Sequence, residues 1–131
     1  MPNYDDLLLK KFKKSGRGPN GYDCWGLAME VTRRAGINMI DFDTWVCDDL
    51  ARSKVILEHQ RECFQKLIKP EPFCMVTFKV ATVYVNHMGV VLENCQEFIH
   101  IREETGVAIE NLNDFKWLRR IEGFYRYQGQ K

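Results

Sequence analysis

The residue pattern changes at Pro70 and Pro72, and that change most restricts the folds open to this chain. Before the two prolines, apolar residues recur at helical spacing between polar and charged ones. After them, Phe73–Val80, Thr82–Glu93 and Glu97–Glu103 are rich in Val, Ile, Phe and Tyr and predict strands. Val107–Glu110 and Ile121–Tyr127 predict two more, with residues 111–118 as a connection. Glu93-Asn94-Cys95-Gln96 predicts a hairpin turn. Helices first and strands second imply an α+β domain with an antiparallel sheet. At 131 residues, without linker, repeat or low-complexity tract, the chain is expected to form one domain over residues 1–131.

Three helices are expected ahead of the sheet. Residues 4–14 form the first, with Asp5 and Asp6 at its positive end, lysines at its negative end and a stripe of Leu8, Leu9 and Phe12. Ser15–Tyr22 is a loop rich in Gly, Pro and Asn. The second helix starts at Cys24 behind Asp23, a favoured N-cap, and stops at Gly36 after Arg33 and Arg34. Leu27, Ala28, Val31 and Ala35 give it a buried face. Residues 37–47 are irregular, and a third helix is expected over 48–67.

The bulk properties exclude several function classes. The formal net charge of +1 generates no field that would draw the chain to nucleic acid or an anionic membrane. No run of eighteen apolar residues is present, so no membrane insertion is expected. Leu7-Leu8-Leu9 lacks a basic stretch before it and meets lysines at once, so no secretory signal is read and synthesis in a cytoplasm is expected. Five cysteines without a C-x-x-C pair argue against a disulfide framework or a zinc finger. Cys47, Cys63, Cys74 and Cys95 are expected to be structural.

Cys24 is different, because a loop becomes a helix there. Unpaired backbone N–H groups and the positive end of the helix dipole favour a thiolate, which is the nucleophile, and can hold an oxyanion. Gly26 leaves room beside the sulfur. Of the three histidines, His87 and His100 fall on predicted strands joined by the 93–96 turn. Both can lie on one sheet face, His87 as the base for Cys24 and His100 holding its ring. His59 and Cys63 have an i, i+4 metal-binding spacing, but no further ligands match it, and they are read as a helix face. Lys10–Arg17 is read as complementing a helix end. Asp41, Asp43, Asp48 and Asp49 are read as a loop and helix start rather than a calcium loop, and Trp45 as core.

Gly21-Tyr22-Asp23-Cys24-Trp25-Gly26-Leu27 resembles the Asp-Cys-Ser-Gly-Leu motif of the NlpC/P60 cysteine peptidases. The Trp in the Ser position, with Gly16-Arg17-Gly18-Pro19 before it, is similar to the phage and prophage tail-associated branch. His87-Met88-Gly89-Val90-Val91-Leu92 resembles that family's His-Val-Gly-Ile strand, and Phe98-Ile99-His100 its strand with the third polar residue. The resemblance covers about residues 5–127 and implies a papain-like α+β fold, N-terminal helices with the Cys helix packed on a C-terminal antiparallel sheet. It implies Cys24 as nucleophile, His87 as general base and acid, and His100 as orienter. The Cys24 backbone, Tyr22, Asp23 and Trp25 are placed at the oxyanion or substrate site. It implies hydrolysis of amide bonds in bacterial cell-wall stem peptides, with no metal or cofactor, and phage tail proteins or a virion as setting. Phe12 stands where relatives often carry a tyrosine hydroxyl near the oxyanion, and Pro72-Phe73-Cys74 replaces the usual Pro-Gly-Asp. Two rival readings use the same residues: a thiol acyltransferase, deamidase or lipid-directed hydrolase, and a tail-assembly or interaction protein that keeps the fold without activity.

Overall fold

A computed structural model describes residues 3–41, 58 and 62–129. In chain order these hold helix α1 (Cys24–Arg34) and strands β1 (Phe64–Leu67), β2 (Met75–Phe78), β3 (His87–Val91), β4 (Glu97–Arg102) and β5 (Gly106–Asn111). A short helix α2 (Phe115–Leu118) and strand β6 (Ile121–Tyr127) follow. The six strands form one sheet in the order β1-β6-β2-β3-β4-β5, every neighbouring pair antiparallel. The α+β class with an antiparallel sheet is as expected.

Alternation along the strands divides the core between two faces. Met75, Val90, Ile99, Ile101 and Val107 pack with Trp25, Leu27, Ala28 and Val31 of α1. Cys74, Val76, Phe78, Val91 and Phe98 pack with Leu112 and Trp117 on the other side. Because both faces are covered, β2 is buried throughout and β4 along its middle four residues.

Helix α1 forms for the reasons its sequence suggests. The Asp23 carboxylate accepts the Gly26 N–H at 2.7 Å, and Arg33 and Arg34 lie in the last turn. Gly36, at φ 88°, turns the chain out while the Ile37 N–H reaches back to the Thr32 carbonyl. The helix lies hard against the loop before it: a Cβ on Gly26 would collide with the Gly16 carbonyl oxygen.

The first expected helix is not formed. Residues 5–9 are turns, and Leu9 sits at φ 70°, which a right-handed helix cannot include. The Leu9 N–H donates to the Val107 carbonyl, and the Val107 N–H to Lys10, so this segment lies along the edge of β5. Tyr4 and Leu7 are its buried residues, while Leu8 and Leu9 are exposed. Sheet-edge pairing and burial of Tyr4 outweigh a weak local propensity. Asp6, read as a helix-start residue, instead forms a two-pronged pair with Arg34 of α1 at 2.6 and 2.8 Å.

The expected helix over 48–67 falls largely outside the described residues, as do Asp43, Trp45, Cys47, Asp48, Asp49 and His59. Its last four residues are β1, paired with β6 from Phe64 opposite Tyr127 to Leu67 opposite Phe124. Cys63 is buried in the core. The expected strand from Thr82 begins only at His87, because residues 79–86 loop out between β2 and β3. Among the described residues, no helix is long and apolar enough to cross a membrane. Replacing Gly26 by Ala should lower unfolding stability by about 3 kcal/mol in urea titrations, because the methyl group has to displace backbone. A loss under about 0.5 kcal/mol contradicts this packing.

Candidate active site

Cys24 is the first residue of α1 and half-buried. Its position is set from both sides. On the loop side, the Asp23 N–H donates to the Gly16 carbonyl at 3.2 Å, and Arg17 Nη1 holds the Asp23 carboxylate at 2.7 Å. Arg17 also binds Asp41 through Nε at 2.9 Å. Of the basic cluster, Arg17 thus serves this clamp rather than the end of a first helix. On the helix side, Trp25 is fully buried and its indole N–H donates to the Ile40 carbonyl at 3.1 Å. Asp23 is itself buried, with Oδ2 unpartnered among the described groups.

Cys24 lines a cleft with Phe12, Asp23, Asn86 and His87, and Val80, Ile101, Arg102, Glu103 and Glu104 complete its wall. The side chains of Tyr22 and Trp25 do not reach that wall. At 4% and 0% exposure they are core residues. One step along a helix turns the side chain by about 100°, so the residue after an outward-facing Cys24 points inward. Tyr22 packs its ring against the backbone at Gly18.

His87 opens β3 and His100 lies in the middle of β4. Val90 opposes Ile99 and Val91 opposes Phe98, and continuing that antiparallel register sets Gly89 opposite His100. Gly89 is needed there, because a Cβ would approach the Ile99 carbonyl oxygen to 2.9 Å and the Phe98 ring to 3.0 Å. His87, two residues from Gly89, shares its face and meets His100 diagonally, with His87 Nε2 2.7 Å from His100 Nδ1. The next strand repeats the step. Ala108 opposes His100, and Glu110, two residues on, places Oε2 2.5 Å from His100 Nε2. His87, His100 and Glu110 thus form an oblique line across three strands.

Aromatic rings enclose that line. Trp117 stacks on His87 at 5.9 Å and meets His100 edge-on at 4.8 Å, while Phe78 and Phe98 pack against the same rings. His100 is 2% exposed. Burial lowers its pKa below the ordinary histidine value despite the opposing pull of Glu110. Partial burial pushes the Glu110 carboxyl up, but the Trp117 indole and His100 outweigh it and hold it below the usual carboxylate range. The middle of the line is thus a neutral imidazole and its far end a carboxylate.

Cys24 and His87 therefore come together on one cleft, and His100 joins His87 behind it, while Tyr22 and Trp25 belong to the core. Glu110 is the residue that sequence reasoning missed. Its signal was the Gly106 turn, which sets β5 against β4 and hence Glu110 on the face of His100. Cys24, Cys63, Cys74 and Cys95 carry thiols rather than disulfides, and burial pushes the Cys74 thiol up to about 11. Among the described residues, no cluster of three or more His, Cys, Asp or Glu could hold a metal ion.

A cysteine at a helix start, on one cleft with a sheet-borne imidazole that a second imidazole holds from behind, is a layout from which nucleophilic chemistry at sulfur is built. The chain belongs to the NlpC/P60 family, whose sequence profile matches residues 10–126. Among solved structures it is similar to an NlpC/P60 family protein from Bacillus cereus, at 20% identity and a TM-score of 0.62, covering 96% of this chain and 40% of that one. It is similar to NlpC1 from Trichomonas vaginalis, at 21% identity and 0.64, covering 92% and 40%. It also matches the NlpC/p60 domain of the peptidoglycan hydrolase SagA, at 12% identity and 0.56, covering 92% and 89%. These likenesses show the NlpC/P60 fold. The chain spans about two fifths of the length of the first structures it matches. No curated protein matches it.

The neutral state of His100 has a consequence for stability. In the unfolded chain it titrates near ~6.5. Below that pH the unfolded state binds a proton that the folded state resists, so stability falls on acidification. Glu110 adds to the loss only at lower pH, as its own depressed folded-state pKa is approached. The urea midpoint should drop from pH 7 to about pH 5.5, and less steeply in His100→Gln. An equal drop in that variant refutes the assignment.

Proposed function

We propose that this protein is a cysteine peptidase that hydrolyses amide bonds in bacterial cell-wall stem peptides. Cys24 is the nucleophile, His87 the general base and acid, and His100 the residue that orients His87. The observation that supports it most is the presence of Cys24 and His87 on one cleft, with His87 held from behind by His100 at 2.7 Å. The substrate class rests on the family, which includes peptidoglycan hydrolases such as SagA.

In this reading His87 takes the thiol proton and the Cys24 thiolate attacks the amide carbonyl carbon. A C–S bond forms, and the carbonyl electrons move to oxygen. Backbone N–H groups in the first turn of α1, that of Cys24 among them, stabilise the oxyanion, a contribution of about 3–4 kcal/mol per donor in known cases. The C–N bond then breaks as His87 returns its proton to the leaving amine. Water, deprotonated by His87, attacks the thioester and releases the acid and the thiol. Asp23 supports the site by seating the start of α1. The cleft presents Arg102 beside Glu103 and Glu104, so both signs of charge face a peptide that carries carboxylates and amines. The phage-tail setting is part of the same proposal and rests on the resemblance of Gly16–Leu27 to the tail-associated branch.

A second reading, a tail-assembly or interaction protein without hydrolysis, is favoured by one observation. Phe12 lines the cleft where relatives often offer a tyrosine hydroxyl. Iodoacetamide labelling of Cys24 against pH separates the two. The peptidase reading expects a thiol pKa below about 7.5, and a value near ~8.5, the unperturbed figure, favours the silent protein. Cys24→Ala should abolish release of amines from stem peptides while leaving the unfolding midpoint almost unchanged. Cleavage at the parental rate by that variant rejects Cys24 as nucleophile.

A further inference from the structure

The hydrogen bonds along the ring line can be made by only one arrangement of protons when Glu110 is ionised and His100 is neutral. One proton fits between His87 Nε2 and His100 Nδ1 at 2.7 Å, and one between His100 Nε2 and Glu110 Oε2 at 2.5 Å. An ionised carboxylate only accepts, and a neutral imidazole has one donor and one acceptor nitrogen. Suppose His100 carried its proton on Nδ1. Its Nε2 lone pair would then face the carboxylate, with no donor between them. With the proton on Nε2, His100 donates to Glu110, and its Nδ1 accepts the Nε2 proton of His87. The lone pair of neutral His87 then resides on Nδ1.

We propose that Glu110 is a positioning residue which, by accepting the Nε2 proton of His100, sets the tautomers of both histidines and makes Nδ1 the basic nitrogen of His87. Glu110 does not line the cleft, so it touches no cleft occupant and acts from behind the two rings. The aromatic enclosure supports this role, because Trp117 and Phe98 leave His100 almost no water with which to exchange partners. Arg102 and Lys116 act on His100 electrostatically, and both disfavour its charged form. The functional consequence rests on the reading of His87 as base. The tautomer claim does not.

The test is long-range proton–nitrogen NMR of the imidazoles at pH 7.5, assigned with His59→Gln, His87→Gln and His100→Gln. In the wild-type protein His87 and His100 should both appear as the Nε2–H form. A His100 signal of the Nδ1–H form overturns the proposal. In Glu110→Ala, His100 should become a mixture of tautomers. On stem peptides, kcat should fall about 10- to 100-fold with little change in KM, by analogy with the scale on which outer partners of metal-bound histidines act. Glu110→Gln, whose amide can accept through its oxygen or donate through its NH2, should restore the Nε2–H form and the rate only in part. If the Ala variant keeps the wild-type tautomer, the proposal is wrong whatever the rate does. Tautomers that follow Glu110 in a protein that cleaves no peptide sustain the positioning claim and remove the peptidase reading instead.

Discussion

The carboxylate of Asp23 is the point from which the site is built. One of its oxygens accepts the Gly26 N–H and also the Arg17 guanidinium, each at 2.7 Å, in a position with 1% exposure. A buried carboxylate is costly unless paired and hydrogen-bonded, and here the loop before α1 supplies the pair and the first turn of α1 the hydrogen bond. The result is a fixed entry angle for α1. Trp25 is driven into the core, Gly26 lies against Gly16, and Cys24 is left on the cleft wall. The Arg17–Asp41 pair ties the chain that leaves α1 to the loop that enters it. The sulfur therefore sits at the positive end of a helix whose start cannot shift without breaking an ion pair, a cap and a close backbone packing.

The sheet supplies the other half by register. A strand places alternate residues on one face, so the histidines meet only if the hairpin between them is centred correctly. The Leu92 N–H donates to the Glu97 carbonyl, and Asn94 Oδ1 accepts the N–H groups of Gln96 and Glu97, which sets the centre between Asn94 and Cys95. That centre alone puts Gly89 opposite His100 and His87 on the same face. A one-residue slip would send His87 to the side where Met88 now packs with α1.

Much of this was legible in the residues. Asp23 as a cap, Cys24 at a helix start, Gly36 as a stop and the 93–96 turn all rest on local chemistry, and each appears where local chemistry puts it. Read with the turn centre, Gly89 even marks the partner of His100, because only a residue without a Cβ fits there. What was not legible depended on contacts distant in sequence. Residues 4–14 have the charges of a helix, but Leu9 and Lys10 pair with the edge of β5 and Lys11 and Lys13 with Tyr22, backbone partners that a helix wheel cannot anticipate. Phe64–Leu67 continues a helical pattern, yet pairs with β6 near the far end of the chain. Tyr22 and Trp25 lie in a motif associated with catalysis, yet their bulk is used for packing. Glu110 was hidden because its importance lies in a diagonal neighbour on another strand.

The ring line also explains why a histidine is tolerated at the centre of a dry aromatic cluster. An isolated imidazole there would leave a donor or an acceptor unmet, at a cost of about 1–3 kcal/mol. Two partners remove that cost only if one donates and the other accepts, and a carboxylate at one end and a protonated ring nitrogen at the other meet that condition. Glu110 keeps its side chain 30% exposed, so its charge stays solvated while one oxygen reaches inward. Polarity therefore runs from water through Glu110 and the buried ring of His100 to the cleft. If His87 takes up a proton as proposed, the counter-charge behind it is that carboxylate, one neutral ring away. It acts through a medium that screens less than water, and needs no group to move. An amide in place of Glu110 can accept or donate toward His100 and cannot supply that field. The part of the rate that Gln fails to restore measures the charge only where its rings keep the Nε2–H form.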